Sequence, residues 1–156
     1  MTTEPQKGRR VDLTLNLNDF IPYIFNRITN CLNLDVKADL RKLKLTIPRW
    51  RILAALSEQD GLSIGQLAFL TAMLHAATSR VVDQMERDRL VRRKISTSDN
   101  RITNVYLTDK GTKVFEKLVP RALSNQAKAI DGLTDEEVAT LKNLLRRVLH
   151  NIDLAE

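Results

Sequence analysis

One cysteine, Cys31, stands alone among the 156 residues, so no internal disulfide staples the fold and the chain suits a reducing cytoplasm. Aromatic residues are scarce at 4%, which leaves the aliphatic residues, Leu above all, to build the core. No apolar run approaches the roughly 20 residues needed to cross a bilayer. The N-terminal stretch also lacks the apolar core of a signal peptide, so neither export nor a membrane partner is expected. The five glycines are scattered at turn and cap positions and form no phosphate-cradling loop. His75 and His150 fall in separate helical stretches without metal-ligand spacing, and no nucleophile–base pair is suggested by spacing. Neither an enzyme nor a metal or cofactor is expected.

What the chain does have is aliphatic residues and positive charge. Its length supports one domain with a sizeable core. The net charge is +6, and its distribution says more than its total. Residues 37–51 carry Lys37, Arg41, Lys42, Lys44, Arg49 and Arg51 against Asp39 alone. Residues 80–101 are basic as well, whereas residues 131–156 are acidic. A basic middle beside an acidic end predicts one surface that attracts a polyanion, although solvated helix faces would show the same charge.

Residues 1–16, with Pro5, Gly8 and little periodicity, read as a flexible basic arm. From Leu17 the apolar residues Phe20, Ile21, Ile24, Phe25, Ile28 and Leu32 recur at helical spacing as far as about Leu43, with Pro22 in the first turn. "LTIPRWRILAALSEQDG" predicts a second helix with Thr46 as N-cap and Gly61 as stop. Ser63 and Gln66 form a capping box for a short third helix. A fourth, "LHAATSRVVDQMERDRL", has an inner stripe of Leu74, Thr78, Val81 and Met85. Strands follow at 91–95 and 102–107. Thr108 then caps a fifth helix, which Pro120 should kink or interrupt. The last helix opens on a Thr134/Glu137 box, and its Val138, Leu141, Leu145, Val148 and Ile152 make a coiled-coil-like seam.

Helix, short helix, turn, helix and hairpin, in that order, define a winged helix-turn-helix, whose second motif helix enters the DNA major groove. The fold class is therefore mostly α with a small β-hairpin wing. On the fourth helix, small Ala76 and Ser79 permit close approach, while His75, Thr78, Ser79 and Arg80 offer donors to bases or phosphates. Arg80 is the first candidate for reading guanine; its bland alternative is a surface ion pair. Ser63 and the wing's Arg92, Arg93 and Lys94 complete the candidates outside the hairpin tip. The tip, "STSDNRITNVYLTDKG", carries Asp99, Asn100 and Arg101. Arg101 would enter the minor groove, with Asp99 turned inward toward a cation such as Arg80. A loop salt bridge unrelated to DNA is the alternative.

The pieces "LTIPRWRILAAL", "SIGQLA", "TSRVVDQMERDRLVRR", "DNR" and "VYLTDKG" resemble, in order and spacing, the MarR family of bacterial transcriptional regulators. The resemblance covers residues 45–111, which it makes the DNA-binding lobe of a single MarR-type domain spanning 17–156. It implies a homodimer formed by helices in 17–43 and 112–156, a pseudo-palindromic DNA operator, release by a small ligand, and an Asp-x-Arg pair at Asp99 and Arg101. Within the family the wording is closest to repressors of aromatic-acid catabolism, some of which answer to aromatic acyl-CoA thioesters. An aromatic acid or its CoA thioester is thus the expected effector, with Arg41, Lys44, Arg49, Trp50 and Leu53 as candidate ligand-binding residues. Two features depart from the family pattern. Arg89 stands where Gly is common, and "LHAA" replaces a Ser/Thr-rich helix start. The alternatives are a peroxide- or thiol-sensing repressor acting through Cys31, against which a buried, inert Cys31 is the commoner fate, and a winged-helix protein-interaction module without DNA.

Overall fold

The computed structural model describes residues 15–95 and 102–153. Packing divides the chain into two compact units, residues 1–31 and 32–156, with the boundary inside the first helix, α1 (Ile21–Lys42). In the first unit, a turn in which the Asp19 N–H donates to the Asn16 carbonyl at 3.1 Å precedes α1. The helix starts at Ile21 rather than Leu17, which puts Pro22 in its first turn, where a missing N–H costs nothing.

The second unit continues with α2 (Ile47–Glu58), β1 (Leu62–Ser63), α3 (Ile64–Thr71), α4 (His75–Arg87), β2 (Val91–Ile95), β3 (Thr103–Leu107), α5 (Asp109–Ala129) and α6 (Asp135–Asp153). The chain is mostly helical with a three-stranded antiparallel sheet in the order β1-β3-β2. Both capping boxes form. Ser63 Oγ accepts from the Gln66 N–H at 3.2 Å, and Gln66 Oε1 accepts from the Ser63 N–H at 2.9 Å. Thr134 and Glu137 repeat the exchange at 3.2 and 2.8 Å. Thr46 occupies its N-cap position, but its hydroxyl makes no capping bond. Pro120 neither ends nor divides α5, which continues to Ala129.

The core joins Ile52, Leu53 and Leu56 of α2 to Leu67 of α3, Val82 and Met85 of α4, and Val105 of β3. Leu40 of α1 and Leu118 of α5 close it. All are aliphatic or Met, as the shortage of aromatics requires.

The exit from α4 sets the wing. Arg89 adopts a left-handed backbone, φ 61°. Its N–H donates to the Glu86 carbonyl at 2.9 Å, and the next N–H, of Leu90, donates to Met85 at 2.8 Å. This double closure is a Schellman cap, the turn that glycine normally supplies. The turn does not change to suit Arg89; the residue accepts the strain. Arg89→Gly should therefore stabilise the protein by about 1 kcal/mol in urea denaturation. An unchanged or lower midpoint would show that the Arg89 side chain contributes more than the strain removes.

Candidate nucleic-acid interface

α4 buries one face and offers another. Thr78, Val82 and Met85 face the core, whereas His75, Ala76 and Arg80 are exposed and Ser79 is half-buried. Two expectations need correction at the helix start. Thr78 is completely buried, with its hydroxyl donating to the Leu74 carbonyl at 3.1 Å, so it has no group left for DNA. Leu74, expected on the inner stripe, is 81% exposed, because the core ends before this residue and Val82 takes up the inner face instead. Arg80 lies back along the helix, its Nε donating to the Ala76 carbonyl at 3.2 Å, which keeps the guanidinium over the helix's outer face.

Leu74, the N-cap of α4, has no side chain able to cap, and no capping side-chain bond to the helix's first turn occurs among the described residues. Its leading N–H groups and the positive end of its dipole therefore stay available to an anion. A cleft of about 330 Å³ brings this turn, through His75, next to Ser63, Ile64 and Gly65 at the head of α3 and Ile102 and Thr103 at the tip end of β3. Two helix heads and the wing thus meet at one surface. Ser63 lines that surface while its oxygen caps α3.

The wing's basic residues divide by strand pleat. Arg92 and Lys94 share a face with Tyr106, their cationic groups 5.9 and 5.6 Å from its ring centroid. Arg93 points the other way and corrects its assignment as a DNA contact. Its guanidinium pairs with Asp83, reaches Glu86 at 3.8 Å and donates to the Ser79 carbonyl at 3.3 Å. Its own N–H donates to Glu86 Oε1 at 2.9 Å. Arg93 therefore buckles β2 to α4 and positions the wing against the outer face. Asp99, Asn100 and Arg101, and with them the expected Arg80–Asp99 pair, lie outside the described residues.

The expected ligand cluster is not assembled. Arg49 binds Asp88 at 2.7 Å, tying α2 to the end of α4, and its side chain is 13% exposed. Leu53 is completely buried in the core, and Trp50 stacks on Phe115 with ring centroids 5.3 Å apart. Arg41 and Lys44 are exposed. Cationic and apolar groups do come together in a different place, a cleft of about 440 Å³ between α1 and α5. Leu43, Leu118 and Pro120 supply apolar surface there, and Lys42, Lys117 and Arg121 supply charge. Asp39 sits 3.2 Å from both Lys42 Nζ and Arg121 Nε. The sequence signal for this site was the four-residue spacing of Lys117 and Arg121, which places both on one side of α5. Cys31 is exposed rather than buried.

No helix among the described residues is long and apolar enough to cross a membrane. A helix-turn-helix with an uncapped, partly cationic outer helix and a buckled wing defines the class as a winged-helix nucleic-acid-binding protein. The model of the MarR family matches residues 45–103. A MarR-family transcriptional regulator from Silicibacter pomeroyi, known from its crystal structure, is 32% identical, with 88% of this chain and 92% of that one covered and a TM-score of 0.81. The chain belongs to the MarR family of transcriptional regulators. It is also 28% identical to the HTH-type transcriptional repressor IacR of Pseudomonas putida, over 86% of this chain and 81% of the relative. BpsR of Bordetella bronchiseptica, whose DNA binding is regulated by 6-hydroxynicotinic acid, shares the fold at 23% identity and a TM-score of 0.72, with 82% of this chain and 97% of that one covered.

Proposed function

We propose that the protein is a homodimeric repressor that holds a pseudo-palindromic DNA site through α4 and the wing, and leaves it when a small aromatic acid binds. The observation that carries the reading is the outer face of α4, with His75, Ala76, Ser79 and Arg80 beside an uncapped helix head and a wing fixed by Arg93. Ser63, Arg92 and Lys94 extend that face; the assignments of Asp99, Asn100 and Arg101 rest on the sequence. The residues 45–111 act as the DNA-binding lobe, with dimerisation through helices on either side of it. Half-site centres lie about one helical turn, roughly 10 bp, apart, because both copies of α4 must reach one side of the duplex.

Replacing Arg80 with Ala should cost on the order of 1–3 kcal/mol of DNA affinity and relax discrimination at one base pair of each half-site. Sites selected from a random pool by the wild-type and variant proteins measure both quantities. Wild-type affinity and sequence preference in the variant would remove Arg80 from base reading.

For the effector, the α1–α5 cleft supports the reading better than the Trp50 region. Its volume is within the roughly 300–1,000 Å³ typical of small-ligand sites, and Lys42, Lys117 and Arg121 outnumber Asp39. The regulation of BpsR by an aromatic acid fits this chemistry, and the description of IacR as a repressor fits the direction of control. The cleft accommodates an aromatic carboxylate, while most of a CoA thioester would extend into solvent. Titrating aromatic acids and their CoA thioesters into the protein–DNA complex should dissociate it. Arg121→Gln should raise the concentration required at least tenfold, about 1.4 kcal/mol, without changing DNA affinity. If no acid acts, and peroxide releases the DNA unless Cys31 is Ser, the effector reading gives way to a thiol sensor.

A further inference from the structure

We infer that Leu74 reads thymine methyl groups in the DNA major groove, and so acts as a specificity-determining residue; this rests on the DNA-binding reading above. Among the described residues Leu74 is the most exposed large hydrophobic side chain, at 81%. It also holds the N-cap of α4, a position that favours Ser, Thr, Asp or Asn and disfavours Leu. Its backbone is not loose. The Leu74 carbonyl accepts from both the N–H and the hydroxyl of buried Thr78, at 2.9 and 3.1 Å, so the side chain projects from a fixed point at the head of the helix.

Two unfavourable choices therefore coincide in one residue: an apolar side chain in water, and a cap that cannot cap. They fall where a helix-turn-helix offers the N-terminal residues of its recognition helix to base edges. Local rules broken together at a functional surface point to a role there. Thymine is the base that shows a methyl group in the major groove, and proteins read that group by apolar contact. Exposed Ala76 adds a second small apolar surface in the same turn. The chemistry predicts a half-site with a thymine whose methyl group meets the head of α4. Phe69 and Leu70 of α3 are also exposed, so a protein-docking patch that includes Leu74 is the competing occupant.

The test uses the full chain and a duplex that it selects from a randomised pool. Each thymine is replaced singly by deoxyuridine, which deletes the methyl group and keeps the pairing edge. At one or two thymines per half-site the replacement should weaken binding about three- to fivefold, the worth of one buried methyl. That penalty should vanish in Leu74→Ser and persist in Leu74→Met. Serine is the better N-cap, so the Leu74→Ser melting temperature should equal or exceed wild type, which separates a lost contact from a lost fold. Deoxyuridine without effect throughout the half-site, or a penalty that survives in Leu74→Ser, overturns the inference and leaves DNA binding standing. Failure of the wild-type chain to enrich any duplex overturns both.

Discussion

Alanine in place of Gly111 should lower stability by about 3 kcal/mol or more, an overpacking cost at the upper end of the usual range. For a chain of this size that corresponds to a fall of roughly 10 °C in melting temperature. A Cβ at this position would lie 2.1 Å from the Leu90 carbonyl oxygen and 3.2 Å from Leu107 Cδ2. The obstacle is backbone, and that backbone is tied down. The Leu90 carbonyl accepts from the Thr108 N–H at 3.2 Å, and Thr108 Oγ1 donates to the Arg89 carbonyl at 2.7 Å. The same Oγ1 accepts from the Gly111 N–H at 3.1 Å, and Lys110 Nζ donates to the Asp88 carbonyl at 2.7 Å. The head of α5 is thus locked onto the tail of α4, and the sequence Leu-Thr-x-x-Gly is the device that does it. Gly65→Ala is the control, because among the described residues a Cβ there would meet just Ser63 Oγ, at an ordinary contact distance of 3.9 Å. That change should be neutral or stabilise by up to about 1 kcal/mol. Equal effects of the two substitutions would refute the close approach.

The same motif shows how far sequence reasoning reaches. The hairpin and the start of α5 were readable because Thr108 is a good N-cap and the strand residues alternate. The reason for Gly111 was not, since it depends on a carbonyl at Leu90 that only the packed chain brings near. The left-handed position of Arg89 was legible from the family's glycine, and the fold kept that turn. β1 escaped detection because Leu62 and Ser63 are too few to show a period; their pairing with Val105 and Asn104 makes them a strand.

The candidate interface was legible in outline and misread in detail. Helical periodicity found the outer face of α4 but placed Leu74 and Thr78 on one stripe. A stripe describes direction alone, and the core stops short of Leu74 while it encloses Thr78. Arg92, Arg93 and Lys94 look alike as a run of charge, yet a strand sends Arg93 to the opposite face from the other two. Asp83 and Glu86, one helical turn apart on α4, then capture it. In the sequence Arg49 looks free for a ligand because its partner, Asp88, lies 39 residues away. Long-range ion pairs of this kind leave no local pattern.

The variant with Glu at both Leu145 and Leu149 should fall from dimer to monomer and bind its DNA site at least a hundredfold more weakly. No described residue of α6 is buried within the chain. Leu141, Leu144, Leu145, Leu149 and Ile152 are 40, 49, 41, 58 and 62% exposed, a wider apolar band than the single seam read from the sequence. Monomeric soluble proteins rarely leave such a continuous band in water. Covering it with the same helix of a second copy would bury each leucine twice over, once on either side of a symmetric interface. Glutamate at two neighbouring positions would then bring four carboxylates into an apolar contact. The effect on DNA follows from geometry: a dimer engages the second half-site intramolecularly, an advantage of about 10²–10⁴ that a monomer forfeits. Sedimentation gives the mass, and titration of the selected duplex gives the affinity. A folded chain that depends on its partner should also show a wild-type melting temperature that rises with protein concentration. If the double variant unfolds, Leu145→Ala alone should steepen that concentration dependence. A wild-type chain that sediments as a monomer and melts independently of concentration would end the dimer reading.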